Sequence, residues 1–295
     1  MATAQANGIE IAYEVTGSGP PLLMVMGLGG QLTDWPPALI DSLSSHFQVI
    51  VFDNRDIGLS THFSSQPPTT AQLIKAQVTR RALDAEYRLT DMAADAAGLL
   101  DTLDIDKAHV LGMSMGGMIA QTLTIDHPRR VMSLTSVMSN TGDKRNGQID
   151  PRLAIRLARR PEPTRVTAVA QTLDLFERIG GSSWNREDHR RRTEISLERA
   201  WSPAGTGRQL AAINASPDRT EALGAVAAPT LVIHGLQDPL VRPSGGTATA
   251  SAVPGSRLLM FPDMGHDLPA TRHGEVVDAI RRNADRATAP YEIRV

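Results

Sequence analysis

The chain contains no cysteine, which removes disulfides, thiolate nucleophiles and cysteine-ligated metals from consideration while leaving the compartment open. It also lacks any run of about 18 apolar residues, the length a membrane-spanning helix needs. Neither sign of charge dominates: 30 lysines and arginines stand against 32 aspartates and glutamates, for a formal net charge of −2. Such a chain offers no basic field for nucleic acid or an anionic membrane, and neither partner is expected. The opening stretch Met1–Gly8 has neither a basic n-region nor an apolar h-region, the marks of a secretory leader, so a cytoplasmic location is the expectation. No internal repeat or low-complexity tract stands out.

What is present is a rhythm. Short apolar runs occur at Leu22–Met26, Val49–Phe52, Ala108–Leu111, Met132–Val137, Thr230–Ile233 and Arg257–Phe261, most of them followed by glycine, aspartate or asparagine. Runs of this length read as parallel strands buried on both faces. Between them lie helix-like stretches such as Asp91–Leu103, where Met92, Leu99, Leu100 and Leu103 recur at helical spacing, and Gly274–Ala284. The alternation predicts an α/β fold with a mostly parallel central sheet flanked by helices. Ahead of it, Ile9–Val15 alternates with period two and runs into Gly17-Ser18-Gly19-Pro20, which predicts an antiparallel edge hairpin.

From Asp143 to Leu223 the rhythm stops. This stretch has no strand-like run, is rich in arginine, and carries Phe176, Trp184 and Trp201 in helix-like polar sequence. It reads as a helical cap over 143–223, inserted into a core made of 1–142 and 224–295. The cluster Arg152, Arg156, Arg159 and Arg160 fits a solvated helix face better than an anion site. The last residues, Thr288–Val295, read as a tail.

Chemistry enters at Ala108–Gly117, an apolar strand that ends in Gly112-Met113-Ser114-Met115-Gly116 and passes at once into helix-compatible residues. A Gly-x-Ser-x-Gly between a strand and a helix is a nucleophile elbow, whose sharp turn exposes the serine hydroxyl. Glycine flanks it because a Cβ there would clash. Ser114 would sit at the positive end of the following helix, where a developing anion is favoured.

A base and an acid must then be found at the carboxyl edge of the sheet, where open parallel sheets place their sites. Asp238 follows the strand Thr230–Ile233, and His266 follows Arg257–Phe261. His266 would take the serine proton while Asp238 holds its tautomer and stabilises its cation. His234 is the competing histidine but precedes the acid in the chain, and Asn140 and Asp143 mark a second loop from which an acid could reach. His46, His62, His189 and His273 sit in polar contexts and read as solvated, while His109 opens a strand and His127 precedes a proline. Two backbone N–H groups must face the tetrahedral intermediate. Met115 supplies one by its place after the serine, and Leu28 in Met26-Gly27-Leu28-Gly29-Gly30 the other. That glycine-rich loop is not a dinucleotide fingerprint, because Leu32 falls where the third glycine belongs. No cofactor or metal is implied.

On these residues the chain resembles the α/β-hydrolase superfamily over almost its whole length. The resemblance also rests on Trp35, on Asp53-Asn54-Arg55-Asp56-Ile57-Gly58-Leu59-Ser60, on His127-Pro128-Arg129-Arg130-Val131 and on His234-Gly235-Leu236-Gln237-Asp238. Within it, the chain is most similar to the small capped esterases that include aclacinomycin methylesterase, with proline iminopeptidases, enol-lactonases and cofactor-free haloperoxidases as relatives. It departs from many members in having Met26-Gly27 where they carry His-Gly, which bears on the subfamily more than on a backbone donor. The resemblance implies the order Ser114, Asp238, His266, and a structural role for the Asp53–Ser60 turn.

The expected function is hydrolysis of a small-molecule carboxylic ester or lactone through an acyl-enzyme. Epoxide hydrolases and dehalogenases of this fold need aspartate where this chain has Ser114. Two alternatives stand: an aminopeptidase using Glu162, Glu177 or Glu187 to hold a substrate amine, and a small-molecule receptor that keeps the fold but scarcely turns over. Met138 beside the serine and Phe176, Trp184 and Trp201 above it would form an apolar chamber, unless the aromatics are simply core.

Overall fold

In the computed structural model of the chain, which describes residues 1–79 and 81–288, the apolar runs become strands of one eight-stranded sheet. All of the expected tail but Thr288 lies outside the described residues. The strands β1 (Ala2–Ala6), β2 (Ile9–Thr16), β3 (Pro21–Val25), β4 (Gln48–Phe52), β5 (Ala108–Met113), β6 (Val131–Val137), β7 (Thr230–Gly235) and β8 (Arg257–Phe261) lie in the order β1-β2-β4-β3-β5-β6-β7-β8. From β4 across to β8 all neighbours are parallel, whereas β1 and β2 pair antiparallel. After β4 the chain crosses β3 to enter β5, and such a reversal opens a crevice at the carboxyl ends of the strands.

The helices are α1 (Pro37–Ser44), α2 (Thr70–Thr79), α3 (Leu89–Thr102), α4 (Met115–Asp126), α5 (Pro151–Ala158), α6 (Ala168–Ile179), α7 (Arg186–Arg199), α8 (Pro203–Ala215), α9 (Thr220–Leu223), α10 (Ser244–Ala252) and α11 (His273–Thr288). Those from α5 to α9 fall between β6 and β7. Among the described residues no helix is long and apolar enough to cross a membrane.

The amino-terminal hairpin differs from the expectation. Its turn is Asn7-Gly8, not Gly17–Pro20: Ala6 pairs with Ile9, and Asn7 and Gly8 take φ of 49° and 79°. Two successive left-handed residues give the turn whose twist matches paired strands. The edge strand is therefore β1, and β2 lies inside the sheet against β4. Gly17–Pro20 leads from β2 to β3, and Gly17 is needed there because a Cβ would lie 2.4 Å from the Ser44 carbonyl oxygen.

The pleat sorts the core into two layers. Leu23 and Val25 of β3 join Ile50, Phe52, Val110 and the helices α3 and α4, while Leu22 and Met24 join Val49, Val51, Leu111 and the helices α1 and α11. Both faces of the central strands are thus dry, and each fully buried aliphatic side chain contributes about 1.5–3 kcal/mol.

The loop after β4 buries charge instead. Asp53 and Asp56 are inaccessible to solvent. Arg55 pairs with Asp95 of α3 at 2.6 Å, Arg199 of α7 with Asp53 at 2.7 Å, and Arg208 of α8 with Asp56 at 2.7 Å. Asp53 also accepts the amides of Leu32 and Leu59 at 2.8 and 2.9 Å. These carboxylates are consumed in holding loops and in docking the inserted helices.

Candidate active site

Ser114 joins β5 to α4 with φ 56° and ψ −119°, a left-handed conformation costly for a residue with a Cβ. The flanking glycines make the turn possible. A Cβ on Gly112 would lie 2.0 Å from the Gly116 carbonyl oxygen, and one on Gly116 would lie 2.0 Å from that of Val25. The Ser114 amide donates to the Val137 carbonyl at 2.9 Å, tying the turn to β6.

His266, in the loop after β8, brings Nε2 to 2.9 Å from Ser114 Oγ and Nδ1 to 2.6 Å from Asp238 Oδ2. A carboxylate only accepts, so Nδ1 carries the proton and Nε2 is left to accept from the serine hydroxyl. Asp238 is fixed in turn by the amides of Leu240 and Val241, which donate to Oδ1 at 2.8 and 2.9 Å. Burial works to raise this carboxyl, but the charge interaction with His266 and hydrogen bonding from His234 and His266 outweigh it and hold it at about 2. The acid remains an anion beside the imidazole.

The competing residues have other partners. His234 is fully buried, donates Nε2–H to the Val241 carbonyl at 2.7 Å and stands 3.5 Å from Asp238 Oδ2, backing the carboxylate. Asn140 Oδ1 accepts the Gly142 amide at 2.9 Å. Asp143 accepts the Arg145 amide at 2.8 Å and bonds the Asn146 side chain.

The loop after β3 runs past the serine: a Cβ on Gly27 would lie 3.2 Å from Ser114 Cβ. The loop is bent by Gly30 N–H donating to the Gly27 carbonyl at 3.2 Å. It is held from outside by Gln209 of α8, whose Oε1 accepts the Gly29 amide at 2.9 Å. Among the described residues the amides of Leu28 and Met115 have no acceptor. For Met115 this follows from its place in the first turn of α4, where intrahelical acceptors are lacking. An unpaired amide at the amino end of a helix is where an anion is favoured.

The residues expected to line a chamber divide. Met138 is completely buried with Met26, Leu111 and Val137, and so belongs to the core beneath the site. Leu28 is 38% exposed at the rim. Phe176 and Trp184 are half-buried and close on His189, with ring centroids 4.3 and 5.6 Å away, while Trp201 is half-buried just past α7. His189 and His273 are buried rather than solvated. Local sequence conceals this for His189, which lies in Glu187-Asp188-His189-Arg190-Arg191-Arg192 and owes its cover to residues outside that run. The expectation of solvation holds for His46 and His62, which are exposed.

A fold with a serine elbow at the switch point of such a sheet has known relatives. The family model described as alpha/beta hydrolase fold matches residues 20–272, and the chain belongs to this family. A protein of Variovorax paradoxus with the provisional name carbamate hydrolase RutD is 31% identical, over 88% of this chain and 90% of that one. The rhodomycin D methylesterase DnrP of Streptomyces peucetius is 26% identical over 98% of this chain and the whole of its own. Among solved structures, a thermophilic esterase from Thermogutta terrifontis superposes with a TM-score of 0.72 at 24% identity, covering 98% of this chain and 100% of that one. The enol-lactonase from Burkholderia xenovorans does so with a TM-score of 0.69 at 20% identity, over 98% and 100%. At such identities the structures speak to the fold.

Proposed function

We propose that the protein is a serine hydrolase of carboxylic esters or lactones, with Ser114 as nucleophile, His266 as base and then acid, and Asp238 as its orienting anion. The observation that carries this reading is the unbroken chain from Ser114 Oγ through His266 to Asp238 at 2.9 and 2.6 Å. Ser114 Oγ attacks the carbonyl carbon as His266 Nε2 takes its proton. The carbonyl oxygen becomes an oxyanion that receives the N–H groups of Leu28 and Met115. Collapse expels the alkoxide, which leaves with the proton from His266, and the acyl-serine remains. Water, activated by the same imidazole, releases the acid and regenerates the serine.

The segment 143–223 acts as the cap over this site. Esters are favoured over amino-terminal amides by the state of the glutamates. Glu177 pairs with Arg186 at 2.9 Å and Glu187 with Arg190 at 3.6 Å, all on exposed side chains, and Glu162 is exposed as well. The names methylesterase and enol-lactonase among the relatives point the same way. The substrate is a neutral, bulky or cyclic ester in solution.

Treatment with a fluorophosphonate is expected to give one adduct, on the peptide containing Ser114, and Ser114→Ala to abolish both label and turnover. A kcat/KM at least tenfold higher for an amino-acid anilide or an anionic ester than for a large hydrophobic methyl ester, about 1.4 kcal/mol of transition-state binding, overturns the substrate class. Steady-state turnover that stops after one equivalent, with a ligand-dependent rise in Tm, would favour the receptor reading.

A further inference from the structure

Helix α7 buries only His189 and Ser196, so apolar area does not explain why it docks where it does. A helix polar on all sides needs other reasons to stay in place. Its two ends supply them, and they touch different loops of the site. Ahead of its amino-terminal end, where α6 closes, the Ile179 carbonyl accepts the amide of His266 at 2.5 Å and the Gly180 carbonyl accepts that of Gly265 at 3.2 Å. Gly181, at φ 80°, comes so close that a Cβ would lie 2.4 Å from Gly265 N. Ser183 bonds Asp263 through both its amide and its hydroxyl.

One turn into α7, His189 faces Asp267, the neighbour of His266, with Nε2 at 3.4 Å from Oδ1. Trp184 Nε1 donates to His189 Nδ1 at 2.8 Å, the shortest contact of the ring, and Arg192 Nη2 lies 3.1 Å from Nδ1 and 3.3 Å from Nε2. An indole N–H can only donate, so Nδ1 accepts and Nε2 carries the proton toward Asp267. At the carboxyl-terminal end, Gln31 Nε2 donates to the carbonyls of Ser196 and Ala200 at 2.7 and 3.0 Å. Arg199 donates to Gln31 Oε1 at 2.8 Å, and Arg192 to the Asp34 carbonyl at 2.6 Å. Gln31 follows directly on the loop that carries Leu28.

We propose that the segment Ile179–Ala200 is a positioning element that sets His266 against the Gly27–Gly30 loop, with His189 transmitting its seating to His266 through Asp267. Burying a histidine against a carboxylate rarely repays its desolvation when an apolar pair could fill the space. A role in geometry accounts for keeping it. The proposal rests on the reading of His266 as the base, and a misplacement of about 1 Å in such a group can cost on the order of 10²-fold in rate.

The test uses the full chain with His189→Phe, Asp267→Leu and Asp267→Asn. Three quantities are measured: the rate of fluorophosphonate labelling of Ser114, kcat and KM on an ester substrate, and the far-downfield proton resonance of His266 Nδ1–H. His189→Phe keeps the ring against Phe176, and Asp267→Leu removes a buried charge, so the second variant is expected to be as stable as the wild type even where the first is not. Both should slow labelling and kcat by about 10- to 100-fold with KM within about twofold, and should broaden the resonance. Asp267→Asn keeps an acceptor facing His189 and should recover most of the loss. Unchanged labelling and an unchanged resonance in Asp267→Leu, with only Tm altered, overturn the proposal. No labelling of wild-type Ser114, with a resonance that still responds to His189→Phe, would instead sink the hydrolase reading and support the positioning role.

Discussion

Helices α4 and α7 flank the same site, yet α4 is buried without a break from Met115 to Thr124 while α7 buries two residues. Helix α4 sits under Ser114 in an apolar layer with Ile119, Ala120 and Leu123 inaccessible to solvent. Apolar burial is non-directional and spread over many contacts. Helix α7 is held by directional bonds to Gln31, Asp34 and Asp53, each of which fails when one partner is lost or changes protonation, and His189 faces Asp267 at 3.4 Å. The serine turn is therefore built on an apolar layer, whereas α7 is fastened by groups that can let go.

The contrast can be broken or sharpened in order of expected effect. The largest concerns the chemistry: Asp238→Asn should lower kcat by roughly 10⁴, as the equivalent change does in the serine-protease template, by favouring the wrong imidazole tautomer. Asp143→Asn should be nearly silent, and the reverse ranking would move the acid to the loop after β6. Next, Ile119→Ala in α4 should cost about 2–5 kcal/mol in urea unfolding, the range for truncating a fully buried aliphatic side chain. Activity per folded molecule should hold, because Ile119 touches the fold and not the reacting atoms.

The third is a pH effect. Burial raises the Asp267 carboxyl to about 6, with Arg192 and His266 opposing and Asp188 reinforcing. A carboxyl raised in the folded state contributes stability that is fully present below about 3.8, its unfolded value, and lost as pH rises through about 6. His189, lowered to about 3 by burial and then by Arg192, acts in the opposite sense. Asp267→Asn removes only the carboxyl's share, so its unfolding midpoint relative to wild type should be higher at pH 8 than at pH 5, by on the order of 1–3 kcal/mol. An equal or reversed difference would show that Asp267 stays charged without penalty.

The smallest concerns one hydroxyl, which also shares a 2.8 Å hydrogen bond with Thr33 Oγ1. Ser196 Oγ donates to Asp34 Oδ1 at 2.8 Å, and Ser196→Ala should cost about 1 kcal/mol globally while speeding amide exchange in α7 relative to α4. A cost equal to that of Ile119→Ala would erase the distinction between the two helices.

The legible part of this chain is the part whose causes are local. Apolar runs of strand length located β3 to β8, because central strands buried on both faces cannot alternate; β8, expected to be buried likewise, is an edge strand with Arg257 and Leu258 exposed. Gly112 and Gly116 marked the turn at Ser114 because adjacent backbone leaves no room for a Cβ. Even the misplaced hairpin was a local matter, since Asn7-Gly8 carries its own turn signal and Gly17–Pro20 drew attention by being longer. The environment of His189 was not legible. Its run of charged neighbours reads as a solvated face, and only the fold brings Phe176, Trp184 and Asp267 around it. Met138 misled in a related way: it directly follows β6 at the carboxyl edge of the sheet, yet its side chain is packed into the core.

By itself, the sequence determined the α/β alternation, the elbow, and the order in which serine, acid and histidine reach the carboxyl edge of the sheet. Each of these depends on a residue and its near neighbours: the period of burial, the steric demand of a turn, the position of a loop after a strand. The tertiary structure alone decided that Asp238 rather than Asp143 meets His266, that the Gly27 loop passes close to Ser114, and that α7 bonds to Gln31 and Asp34. Those facts depend on distances between residues far apart in the chain, which no local pattern encodes and which are set by how the two apolar layers close on the sheet.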